Sequence, residues 1–422
     1  MSEIENIGFI STRLAGTDGV SLETSKWAEV LEDMAYACFY FAGELDKPAE
    51  RSMLSAKAHF SHPEIASINE FVFRNMKRPG ELTDKIEKLK QELKYDLLRF
   101  IKSFALDLVI VENAFAIPIN LPLGVALTEI VSETCTPTIA HNHDFYWERK
   151  RFSVNCVWDY LNKAFPPRHP YIRQVVINSE ARRQIAMRRG SASIVIPNVM
   201  NYAEPPGPPD DYASVVREAF GIDDEYLILQ PTRVVQRKGI EHSIELVRRL
   251  ERKGVKAKLV ISHAAGDEGS DYEIRLKEYS KLMKVNTVFV SNRIREERGV
   301  TETGKKVYRL FDVYPHADLV TYPSTYEGFG NAFLEAVYFR KPVLVNNYSI
   351  YFHDIRPKGF KVVEIDEFVR EETVDNVIEV LRSRSRVKEM VDHNYGLAKR
   401  FYSYANLKRK LKFILTDFFG EE

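Results

Sequence analysis

Two glutamates, two cations and a pair of histidines stand where apolar runs end, and these are the residues best suited to chemistry. Glu327-Gly328-Phe329-Gly330 follows the strand-like run 319–322 and a break at Pro323, Ser324 and Thr325. Residues 331–340 then carry Ala, Phe, Leu and Val at helical spacing, with Glu335 on the first turns. Glycines allow close backbone approach to a ligand, and the first N–H groups of a helix suit an anion such as a diphosphate. A carboxylate repels phosphate, so Glu327 and Glu335 suit the hydroxyls of a sugar or a ribose. Upstream, Arg233 and Lys238-Gly239 lie between a strand at 226–230 and a helix at 240–252. A guanidinium and an ammonium placed there can converge on a diphosphate. The third group, His141-Asn142-His143-Asp144, closes a strand at 137–140. A neutral imidazole there can hydrogen-bond a sugar hydroxyl. Metal ligation is not expected, because no third His or Cys follows at ligand spacing.

The elements that must position these groups alternate along the chain. A first strand at 7–11 runs into Arg13-Leu14-Ala15-Gly16-Thr17-Asp18-Gly19, a glycine-containing, anion-tolerant loop, and then a helix with Trp27, Val30, Leu31 and Met34 on its apolar side. A long charged helix is expected at 81–104, strands at 105–112, 171–179 and 193–198, and helices at 121–134 and 180–189. Residues 203–211 hold four prolines without apolar periodicity and read as a linker. The second half restarts the alternation. Its further strands are expected at 258–262, 287–291, 342–345 and 360–365, with helices at 271–283, 307–316, 371–382 and 387–401. A charged insertion occupies 295–306, and 405–419 reads as an amphipathic helix. Such alternation argues parallel sheets covered by helices, hence an α/β protein of two Rossmann-like domains with ligands at the carboxyl ends of the strands, facing across a cleft. The expected division is an N-terminal domain at 1–203, a linker at 204–211, a second domain at 212–400 and a C-terminal helix at 401–422.

Composition agrees with two globular cores. The 422 residues are 45% apolar and 28% charged. Sixty Lys plus Arg balance sixty Asp plus Glu, which removes any global field for nucleic acid. Cys38, Cys135 and Cys156 lie apart without metal spacing and read as thiols of a reducing compartment. With no run of 18 apolar residues, a cytoplasmic protein without a transmembrane segment is expected. Peripheral membrane contact through Arg182, Arg183, Arg188 and Arg189 is the lesser reading beside a solvated helix face.

The span opened by EGFG and closed by LEA, with its two glutamates separated by seven residues, resembles the donor signature of retaining GT-B glycosyltransferases of family 4. Arg233 and then Lys238-Gly239, in order upstream, are similar to a second motif of that family. The resemblance implies a GT-B fold and a nucleotide-diphosphate-sugar donor, with the C-terminal helix crossing back onto the first domain. It implies that Glu327 contacts the donor sugar and Glu335 the ribose. Arg233 and Lys238 would stabilise the leaving diphosphate, with Gly328, Phe329, Gly330 and Asn331 framing it. Gly16 and Gly19 fall at the family's first glycine loop, whose usual Gly-Gly pair is here interrupted by Thr17 and Asp18. His143, with His141 as runner-up, falls where a histidine approaches the donor sugar. Arg293 and Ile294 fall where backbone wraps the base, and Ser262 to Asp267 replaces a glycine-rich turn. Catalytic work is thus expected of His143, Arg233, Lys238 and Glu327.

Around the histidines, Asp144, Trp147 and Arg149 are fit to stack on and grip a polar acceptor, with His141 beside them. Arg13, Arg149 and Arg151 could hold an anionic group. The expected reaction is retaining transfer of a hexose, from UDP-glucose or GDP-mannose, to a hydroxyl of a small soluble acceptor such as a sugar, sugar phosphate or polyol acid. The leaving phosphate would help deprotonate the acceptor, without a required cofactor or metal. The alternatives are a phosphorylase using inorganic phosphate in the same fold and a non-catalytic sugar-nucleotide sensor.

Overall fold

In a computed structural model the described residues are 4–16, 18–265, 269 and 271–420. They form two compact units: one holds the chain through Val199 and again from Tyr404, and the other runs from Met200 to Ser403. Each is built on an all-parallel sheet whose central strands are buried on both faces, which is why they read as nearly continuous apolar runs.

The first sheet contains β1 (Asn6–Ile10), β2 (Ala37–Ala42), β3 (Ser52–Leu54), β4 (Leu108–Glu112), β5 (Thr138–Asn142), β6 (Ile172–Val176) and β7 (Ser193–Val195), in the order β3-β2-β1-β4-β5-β6-β7. The second contains β8 (Tyr226–Gln230), β9 (Ala257–Ile261), β10 (Thr287–Phe289), β13 (Leu319–Tyr322), β14 (Val343–Asn346) and β15 (Val363–Ile365), in the order β10-β9-β8-β13-β14-β15. A separate antiparallel ribbon pairs β11 (Gly299–Val300) with β12 (Lys306–Val307). In both sheets the strand order reverses between the first and fourth strands. A crevice therefore opens at the carboxyl ends of β1 and β4 in one unit, and of β8 and β13 in the other.

Buried polar groups fix the second of these switch points. Gln230, the last residue of β8, accepts from Thr321 of β13 at 2.9 Å and from Ser243 at 2.8 Å, and donates to Thr232 at 2.7 Å. In a dry interior such a satisfied network specifies one register.

The helix Tyr404–Phe419 belongs to the first unit. Its Leu407, Leu411, Ile414 and Leu415 join the core formed by Ile7, Trp27, Leu31, Ile196 and Val199. Tyr404 donates to Glu29 at 2.8 Å, and Asp417 pairs with Arg173.

Three local expectations change. The helix expected at 307–316 is broken into β12, a short helix Leu310–Val313 and a 3₁₀ turn Tyr314–His316. Pro315 sits in that turn, where a continuing α-helix would need its absent N–H. The strand expected at 137–140 runs on to Asn142, so His141 lies inside it. The proline-rich residues 204–211 fall within the second unit, and Asp210 accepts two bonds from Arg298, at 2.6 and 3.1 Å.

Leu411→Ala should remove about 2–5 kcal/mol from the first unit, since the side chain is fully buried in that core. Trp27, Trp147 and Trp158 all lie in that unit. Urea unfolding followed by tryptophan fluorescence therefore checks it, with a lowered midpoint as the expected outcome.

Candidate functional site

Lys238 leaves the loop after β8, and Glu327 leaves the loop after β13, the two strands that flank the second switch point. The Lys238 ammonium and the Glu327 Oε1 are in direct contact, and Arg237 donates to the Glu327 Oε2 at 3.0 Å. Lys238 and Glu327 are both buried. Burial alone would raise the Glu327 carboxyl, but the charges of Lys238 and Arg237 outweigh it and hold the group below the ordinary glutamate range. Burial is also the largest influence on Lys238 and lowers it. Removing either partner would strand an uncompensated buried charge. The sequence motif brings out Arg233 and Lys238 but not Arg237, whose only advance signal is its place directly before Lys238. Arg233 itself is exposed, and its charge reaches Lys238 and His263.

The two loops are sewn together at close range. Thr325 donates its backbone N–H to the Arg237 carbonyl at 2.8 Å, and Arg237 donates to the Tyr326 carbonyl at 3.2 Å. Gly239 has φ +58, and a Cβ there would lie 2.6 Å from the Pro323 carbonyl oxygen. Gly330 precedes the helix Asn331–Tyr338 with φ +134 and offers no capping side chain. A Cβ on it would meet the Tyr348 hydroxyl at 2.6 Å, the same hydroxyl that donates to the Phe329 carbonyl at 2.7 Å. Gly328 and Asn331 lie in this loop and first turn, while the Phe329 ring is buried edge-on to Tyr402 at 5.3 Å. Glu335 accepts from the Tyr314 hydroxyl at 2.7 Å, and Tyr314 stacks flat on Phe339.

The Arg293 side chain is engaged within the protein. Its guanidinium donates to the backbone carbonyls of Lys306 and Ala219 and lies 5.1 Å from the Phe220 ring and 5.6 Å from that of Tyr308. Ile294 bridges Tyr308 through backbone. In the turn after β9, Gly266 and Asp267 lie outside the described residues. His263 is held there by Ser262 at 2.6 Å.

In the first unit Glu112, the last residue of β4, is the register partner of His141 on β5. Its Oε2 lies 2.9 Å from His141 Nδ1 and 3.1 Å from His143 Nε2. The His143 backbone N–H donates to Asn113 at 3.0 Å. Burial, opposed by the two histidines, leaves the Glu112 carboxyl at about 2. Burial lowers His141; for His143 burial is outweighed by Glu112, which raises it. Glu112 is a residue the sequence reading passed over.

The first glycine loop differs from a phosphate cradle. The Gly16 N–H already donates to Asp46 at 2.8 Å, and the Asp18 carboxylate caps the helix Gly19–Glu32, accepting from Val20 and Ser21 at 3.1 and 3.3 Å. The helix terminus at Gly19 thus carries a carboxylate where the glycine pattern suggested room for phosphate.

The remaining acceptor candidates have partners within the protein. Asp144 is held by Asn113 at 3.0 Å and Arg149 at 2.7 Å. Trp147 donates to Gln184 at 2.6 Å, stacks on Phe145 at 4.4 Å and lies 5.4 Å from the Arg188 guanidinium. Arg13 pairs with Asp18 at 3.3 Å beside Phe60, and Arg151 lies over Phe152 at 4.6 Å.

Two outcomes follow. Gly330→Ala should cost about 1–3 kcal/mol, because its backbone conformation is strained for any side chain and the new methyl displaces Tyr348; thermal unfolding of the variant measures this. Burial, then Arg233 and Lys238, pulls His263 from the ordinary 6.5 down to about 4. Between those values the unfolded chain binds a proton that the folded site refuses, so stability falls as pH falls through that window. His263→Asn should flatten that decline, and an unchanged slope of unfolding midpoint against pH would contradict it.

Residues 214–396, which include Arg237, Lys238, Glu327 and Glu335, match the family described as glycosyl transferases group 1. The chain is 30% identical over 435 residues to the mannosylglucosylglycerate synthase of Thermotoga maritima, covering 95% of this chain and 97% of that one. It is 31% identical over 443 residues to a protein of the same name from Petrotoga mobilis, covering 96% and 97%. The solved structure of Anabaena HepE in complex with UDP-glucose shares the fold, with a TM-score of 0.66 and 13% identity over 98% of this chain and 99% of that one. Among the described residues no helix is long and apolar enough to cross a membrane. The chain belongs to the group 1 glycosyltransferases and is a hexosyltransferase of the GT-B fold.

Proposed function

We propose that the protein transfers a mannosyl unit, with retention of anomeric configuration, from GDP-mannose to a hydroxyl of a small anionic glycoside such as glucosylglycerate. The observation that carries the donor half is the buried Lys238–Glu327–Arg237 cluster at the switch point between β8 and β13. A departing nucleoside diphosphate gains negative charge on its leaving oxygen. Lys238, Arg233 and the helix start at Gly330 and Asn331 supply positive potential there without a metal. Glu327 does two things in this reading. It pins Lys238 and Arg237 in place, and its remaining lone pairs accept from sugar hydroxyls. Glu335, fixed by Tyr314, takes the ribose hydroxyls.

The choice of mannose and of a glycerate-bearing acceptor is supported by the names of the two relatives, whose product carries mannosyl, glucosyl and glycerate groups. Retention and phosphate-assisted deprotonation of the acceptor come from the resemblance to retaining enzymes.

The test pairs binding with turnover. GDP and GDP-mannose should raise the thermal transition of the wild type in a concentration-dependent way. Lys238→Ala and Glu335→Ala should lose that shift. Incubation of GDP-mannose with glucosylglycerate should yield an α-mannoside by NMR. A β-linked product removes the retaining assignment. Transfer only from UDP-glucose moves the donor to that nucleotide, and nucleotide-free turnover with inorganic phosphate replaces the transferase with a phosphorylase.

A further inference from the structure

At the carboxyl ends of β4 and β5 three potential ligands converge. Glu112 and His141 are opposite residues of a parallel strand pair, and His143 follows in the bend just beyond the end of β5, with its Nε2 at the same carboxylate. One ligand atom from each lies within 4.8 Å of the others. The carboxylate Oε2 is 2.9 Å from His141 Nδ1 and 3.1 Å from His143 Nε2. Ligand distances of about 2.0–2.2 Å around a small divalent cation put neighbouring donors roughly 3 Å apart, as here.

Hydrogen bonding within the protein leaves this cluster incomplete. His141 is 0% exposed, and among the described residues its ring nitrogens find no well-formed hydrogen bond, the nearest approach being that of Nδ1 to the Glu112 carboxylate at 2.9 Å. Glu112 is 0% exposed as well, and among the described residues its Oε1 is without a partner. Buried polar atoms in that state are costly and call for an additional ligand. The cluster is also held rigidly. Trp27 stacks on the His141 ring at 4.1 Å, and Asn113 holds the His143 backbone. Glu23, itself 0% exposed, acts electrostatically on both histidines. Its own carboxylate is paired with Lys26 at 3.0 Å.

We infer that Glu112, His141 and His143 form a binding site for one divalent transition-metal cation. Two imidazoles and one carboxylate suit zinc, cobalt or manganese, whereas magnesium and calcium favour all-oxygen sites. His143 is 9% exposed and the other two ligands are 0% exposed, so the remaining coordination position opens on the His143 side, toward an oxygen of water or of a bound hydroxyl. The third ligand comes from a neighbouring strand and is a carboxylate. Spacing along one segment therefore gave no notice of it.

The test reads metal rather than transfer, and so stands apart from the donor assignment. The full chain is stripped with chelator, dialysed, and titrated with Co²⁺ while its visible d–d absorption is followed; Zn²⁺ and Mn²⁺ are tested by thermal shift and by metal analysis after dialysis. One equivalent of tightly held metal and a raised transition are expected. Glu112→Gln and His143→Asn should each weaken cobalt binding at least about tenfold. His143→Asn lies at the solvent edge and keeps the comparison usable if the deeper variant does not fold. Wild type that takes up no cobalt and is stabilised by none of these ions overturns the site, as do variants that bind as wild type does. The donor site is checked in the same samples by GDP-mannose thermal shift, so loss of one leaves the other readable.

Discussion

A carboxylate that leaves water must find cations in fixed geometry, and Glu327 meets this requirement with Lys238 and Arg237. The chain builds around that demand. The two cations come from one loop and the carboxylate from another, and the loops approach only because β8 and β13 are neighbours at the reversal of strand order. Beneath them Gln230 ties both strands through Thr321 and the following helix through Ser243. Above them Gly239 and Gly330 let the backbones pass where a methyl group would collide. A pair of this kind contributes little net stability against apolar packing, but it is intolerant of losing one member. Its value here is preorganisation: two positive groups are held ready at the place where a leaving group gains charge.

The first unit repeats the scheme with different chemistry. Its buried carboxylate, Glu112, also comes from the fourth strand of a sheet with the same order reversal, and its partners come from the next strand. Where the second unit surrounds the acid with an ammonium and a guanidinium, the first surrounds it with imidazoles. Full cations satisfy a carboxylate by themselves. Imidazoles leave nitrogens over, and those of His141 point to a further ligand. The same fold position thus supports an anion-binding cluster in one unit and a metal-binding one in the other.

Much of this was legible along the chain, for reasons that differ by residue. The helices Ile240–Arg252, Asp271–Met283 and Glu371–Arg382 have the bounds that apolar spacing indicates because each has one buried side that dominates its local pattern, and Leu121–Thr134 does because it is an apolar run buried nearly all round. The loop from Glu327 to Gly330 was legible because glycine, a short polar break and a following helix leave few other conformations. The helix expected at 307–316 was misread because Pro315 outranked the apolar spacing around it. Arg237 was passed over and Arg293 was placed only by its position in the backbone, because position along the chain does not show where a cationic side chain ends up.

By itself the sequence determined the alternation of strand and helix, and with it parallel sheets and the strand ends where chemistry would gather. It also determined the residue types present at those ends, since glycine, carboxylate and cation carry their properties wherever they stand. Pairing was decided only in three dimensions. Whether Glu327 would meet Lys238, whether Asp18 would occupy the helix start at Gly19, and whether Glu112 would lie opposite His141 all depend on which strands become neighbours and in what register. Distances of 3 Å between residues tens of positions apart are set by packing of the whole sheet, and no local spacing records them.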